Sequence, residues 1–78
     1  MPRYYFHIHD GSDFPDTEGT ELADLTAARD EAVRISGAVI RELGPSFWEH
    51  AMGEWRLEVV DESGRVILRL RFSGERVN

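Results

Sequence analysis

Cysteine is absent from the 78 residues, so neither a disulfide nor a thiolate-bound metal can brace the fold. Lysine is absent as well: all nine basic residues are arginine, which reads as compositional bias rather than phosphate chemistry. No apolar run approaches the roughly 20 residues of a membrane-spanning helix, and Met1-Pro2-Arg3-Tyr4-Tyr5 lacks the apolar stretch of a signal peptide. A cytoplasmic protein without membrane contact is therefore expected. The sequence also lacks a Gly-rich phosphate loop, a Ser-His-Asp or Cys-His set, and paired carboxylates beside an apolar pocket. These absences set the expectation of a non-enzymatic protein with no cofactor.

What is present fits one small domain over residues 1–78, with 73–78 as a polar tail. A chain of this length buries only about 60% of its unfolded surface, so stability must come from packing or from self-association. The net charge is −6, which favours solubility and repels nucleic acid. Its distribution is uneven. Residues 1–28 hold six acids (Asp10, Asp13, Asp16, Glu18, Glu21, Asp24) against Arg3 alone, whereas from Trp55 onward five arginines face four acids. That polarity could orient a partner or pair copies head to tail.

Tyr4, Phe6 and Ile8 alternate with Tyr5, His7 and His9, the pattern of a half-buried strand. Asp10-Gly11-Ser12-Asp13 has turn chemistry, and Pro15 keeps Phe14 extended. Gly19–Leu22 reads as a short edge strand. Asp24 suits an N-cap, Leu25–Leu43 holds helix formers, and Gly44-Pro45 ends the run. On a helical wheel Leu25, Ala28, Ala32, Ile35, Val39 and Leu43 form a stripe widened by Val33 and Ile40. Gly37 within it suggests a close backbone contact, and Arg29 lies where it could pair with the acidic loop. Phe47, Trp48 and Met52 suit one short helical turn. Trp55, Leu57 and Val59, then Val66, Leu68, Leu70 and Phe72, alternate about Asp61-Glu62-Ser63-Gly64 as a β-hairpin. Matching the two apolar faces calls for a loop of two or four residues, although Gly64 also suits three with a bulge.

The expected fold is α+β with element order ββαββ: an antiparallel sheet of three to four strands with one amphipathic helix packed on one face. Strand order 2-1-3-4 follows if successive elements reverse. The core is then Tyr4, Phe6, Ile8, Leu57, Val59, Val66, Leu68, Leu70 and Phe72 against the helix stripe.

The opening MPRYYFHIHDG, the acidic loop ending in Asp16, Glu18 and Gly19, the helix segment LTAARDEA and the closing WRLEVVDESGRVILRLRF resemble a family of small bacterial proteins, domain of unknown function 6894. The resemblance spans almost the whole chain and implies a fold, with no activity attached. Phe14-Pro15-Asp16 with Gly19, then Asp24-Leu25 and Glu31-Ala32, is similar to the strand-to-helix passage of HicB-type antitoxins, which implies antitoxin-like partner binding. The chain departs from that pattern in having two strands before the helix instead of three.

Three constellations merit placement. His7 and His9 share a strand face and Asp10 follows, the weak outline of a Zn²⁺ or Ni²⁺ site, or of a minor enzymatic one, against the more ordinary reading of a hydrogen-bonded pair on a polar face. Asp10, Asp13, Asp16, Glu18 and Glu21 could cage a hard cation but lack the order of a calcium loop, and read better as turn-forming acids. The face away from the helix carries one aromatic residue, too few for a base-stacking platform. Tyr5, His7, Val60, Ile67, Arg69 and Arg71 on that face suit a protein interface, most simply a homodimer, with an unidentified protein partner as the other occupant.

Overall fold

The computed structural model describes residues 1–50 and 54–78. The elements are β1 (Arg3–His9), β2 (Asp13–Phe14), β3 (Thr20–Glu21), α1 (Leu25–Leu43), α2 (Ser46–His50), β4 (Glu54–Val60) and β5 (Val66–Ser73). All pairings are antiparallel and the sheet runs β2-β1-β4-β5, with β3 also on β1. This is the expected α+β arrangement and strand order. The sheet nevertheless has five strands rather than three to four, because two short strands share one edge of β1. β2 pairs with its C-terminal end through Ile8 and His9, and β3 with its N-terminal end through Arg3 and Tyr4.

Alternation places Tyr4, Phe6, Trp55, Leu57 and Val59 in the buried core, where Ala28 and Ala32 of α1 meet them. Ile8, Leu68 and Leu70 pack against this cluster from its margin. Trp55 is fully buried and meets the ring of Phe72 edge-on at 6.3 Å. The helix begins where Asp24 Oδ1 accepts the Ala27 amide at 2.9 Å, and ends at Gly44, whose amide still reaches the Ile40 carbonyl at 3.1 Å while its φ of 53° turns the chain out of the helix. It turns small residues to the sheet. Ser36 is buried beside Ala28 and Ala32, its hydroxyl returned to the Ala32 carbonyl at 2.7 Å, while Leu25 and Val33 of the expected stripe lie exposed. Large side chains on the sheet and small ones on the helix allow close approach. Gly37 does not serve that approach: a Cβ there would meet open space. The short turn expected around Phe47 and Trp48 is α2, whereas Met52 lies outside the described residues.

The hairpin resolves the loop length the other way. Asp61 donates its amide to the Arg65 carbonyl at 2.9 Å and accepts that of Gly64 at 3.0 Å, which leaves a three-residue loop with Gly64 at φ 89°. Val60 then pairs with Val66 while Val59 pairs with Leu68, so Ile67 is an extra residue in a bulge. The bulge restores phase for Leu68 and Leu70 and changes two assignments. Val66, expected in the core, is 43% exposed, and Ile67, expected on the open face, packs against the core.

Candidate interaction surface

The helix α1 covers one face of the sheet; the other, the bare face, carries no helix among the described residues, and the loop through Asp16 and Gly19 lies against Tyr5 and His7 at its margin. On the bare face stand Tyr5, His7 and His9 of β1, Arg56, Glu58 and Val60 of β4, and Val66, Arg69 and Arg71 of β5, in cross-strand rows fixed by the register. Glu58 is at the middle of the polar rows. Its Oε2 accepts from Arg69 Nε at 2.8 Å, Arg56 Nε is 3.6 Å away, and Oε1 is 3.3 Å from His9 Nε2. The hydrogen bond from Arg69 holds the Glu58 carboxyl below its ordinary range against the opposing effect of burial, with help from the charges of Arg69, Arg56 and His9. The other ring nitrogen of His9 meets Asp13 Oδ1 at 2.5 Å, so this imidazole ties β2 to β4 across β1.

The rim along β1 is set by Asp16. Between β2 and β3 no strand faces the Phe6 amide, and Asp16 Oδ2 accepts it at 3.1 Å; Oδ1 takes the amides of Gly19 at 3.0 Å and Glu18 at 3.1 Å. Burial pushes the Asp16 pKa up, but the amides of Gly19, Phe6 and Glu18 outweigh it and the net shift is downward. Asp16 also donates its own amide to His7 Nδ1 at 2.9 Å. Gly19 closes the motif because its φ is 73° and an added Cβ would lie 2.9 Å from Arg3 Cγ and from Tyr5 Cε1. Arg3 braces the same loop through the Glu18 carbonyl at 2.8 Å and Glu21 at 3.2 Å. The acidic loop is thus met by Arg3; Arg29 turns to its neighbour Asp30 instead.

Of the residues singled out from sequence, Tyr5, His7, Val60, Arg69 and Arg71 share the bare face, and only Ile67 leaves it. His7, His9, Asp13, Glu58, Val60 and Val66 line a shallow groove of about 490 Å³ there. The candidate metal residues are dispersed: His7 is bound to Asp16, His9 lies between Asp13 and Glu58, and the Asp10 amide turns back to the Ser12 carbonyl. Among the described residues no three His, Asp or Glu side chains converge on a common point. Sequence reasoning places Glu58 on this face and Asp16 in the acidic loop but misses what each holds together. The role of Glu58 depends on the register that sets it opposite Arg69 of β5 and His7 of β1, and that of Asp16 on an amide ten residues away.

With this geometry in view, the sequence profile of the domain of unknown function DUF6894 matches residues 3–73. The chain belongs to that family. No curated protein and no solved structure matches it. In this DUF6894 chain the matched span takes in Arg3, Asp16, Gly19 and the whole bare face. No helix among the described residues is long and apolar enough to cross a membrane.

Proposed function

We propose that this DUF6894 domain is a non-enzymatic protein-interaction module that pairs with a second copy of itself through the bare sheet face. The observation that supports this is the division of charge on that face. Along the β1 edge stand the exposed carboxylates of Asp13, held by His9, and Glu21, held by Arg3; along β5 stand Arg69 and Arg71; Tyr5, Val60 and Val66 form an apolar strip in one cross-strand row. A two-fold axis parallel to the strands lays the acidic rim of one copy over the basic rim of the other, twice, with the two strips in contact. Burying the strip removes apolar area at roughly 25 cal/mol per Å², a gain that matters in a core with no covalent brace.

Charge reversal tests the arrangement. Arg69→Glu with Arg71→Glu makes both rims acidic, Asp13→Arg with Glu21→Arg makes both basic, and each double variant alone should elute as a monomer in size-exclusion chromatography. Mixed one to one they should elute together as a heterodimer. If each double variant remains a dimer alone, or if the mixture stays monomeric while the parent dimerises, this two-fold arrangement is wrong.

A further inference from the structure

The outer edge of β5 is unpaired among the described residues, since β5 ends the sheet and bonds only to β4. Ladder alternation determines which of its groups face outward. The Phe6 amide points away from β4 into Asp16, so its β4 partner Val59 turns its own amide and carbonyl toward β5. Leu57 and Trp55 follow at intervals of two, and their partners Leu70 and Phe72 bond inward. Arg69 and Arg71 therefore present their amides and carbonyls at the free edge. Their side chains stand on the bare face, where Arg69 is engaged by Glu58. Arg71 stands opposite Arg56, a like-charge pair, and no carboxylate lies within ion-pair distance of it among the described residues.

We propose that this edge accepts an extended acidic segment of a partner protein as an added antiparallel strand, with carboxylates at alternate residues beside Arg69 and Arg71. Main-chain bonds at the two arginines give the strand its register, and the carboxylates supply the counter-charge that Arg71 lacks. The intervening residues of the segment continue the row of Leu70 and Phe72 on the opposite face, where Phe72 is 43% exposed, so they should be apolar. A second copy of β5 is a poor occupant: self-pairing that keeps core face beside core face sets arginine against arginine. The inference goes beyond pairing through the bare face but shares Arg69 and Arg71 with it: the added strand takes their main-chain groups at the edge, and a chain that cannot pair through the apolar strip separates the two readings.

The probe is a blocked, fluorescent heptapeptide of alternating glutamate and valine, titrated by polarisation against the full chain and against Val60→Glu, which removes the apolar strip. Saturable binding is expected with both, at least tenfold tighter than for the lysine-valine counterpart and at least tenfold weaker when Arg71→Glu is added to Val60→Glu, a chain already unable to pair through the strip, with the fold checked by circular dichroism. Because the residues beside Arg69 and Arg71 must bond toward β5, N-methylation of the glutamate amides should abolish binding and N-methylation of the valine amides should spare it. No saturable binding, equal affinity for the lysine peptide, an unchanged affinity with Arg71→Glu, or equal effects of the two methylations would overturn the proposal.

Discussion

Asp16 completes the hydrogen bonding of Phe6: its Oδ2 takes the Phe6 amide at 3.1 Å, midway along the three residues of β1 that neither β2 nor β3 pairs. Without it a core residue would carry an unanswered amide. Asp16→Asn retains an oxygen for Glu18 and Gly19 but turns an NH₂ toward Phe6, and should cost about 1–3 kcal/mol in urea unfolding at pH 7. The folded carboxyl titrates below its ordinary 3.8, so its contribution is fully present above that value and lost as the pH falls through the lower folded one. The gap between parent and variant should therefore close on acidification below about pH 4; a gap that persists unchanged to pH 2 contradicts the assignment.

Two glycines should respond in opposite senses to the same substitution. Gly19→Ala forces a left-handed alanine into contact with Arg3, Tyr5 and the Tyr4 carbonyl, and should lose more than about 1 kcal/mol. Gly37→Ala meets open space on an exposed helix position and should gain about 0.5–1 kcal/mol. Thermal melts that move in the same direction for both variants would contradict the structure.

The bulge makes neighbouring residues unequal. Ile67→Glu buries a charge against the core and should abolish the cooperative melt, whereas Val66→Glu on the bare face should leave the circular dichroism spectrum of the folded chain intact. Matching behaviour of the two would mean that the hairpin keeps simple alternation.

Much of this was legible in the sequence because it is local. The alternation of β1 and β4 and both caps of α1 depend on neighbours within four residues, and all were read correctly. The β5 phase was not, because Val66 and Ile67 are both apolar and either can face the core; only the loop length decides. The helix stripe was drawn by hydrophobicity, yet the sheet carries the bulky Trp55, so the small residues Ala28, Ala32 and Ser36 face it and Leu25 is left outside. β2 escaped because two residues carry too little pattern to reveal a strand, and Asp16 because its partner is ten positions away.

The central claim is that the bare face joins two copies, and Val60 stands in its apolar strip, paired with Tyr5 on one side and Val66 on the other. Sedimentation equilibrium of the parent and of Val60→Glu at neutral pH tests it most directly. The account predicts a parent dimer and a folded Val60→Glu monomer. A parent that stays monomeric at every concentration, or a Val60→Glu chain that remains a dimer, would contradict it.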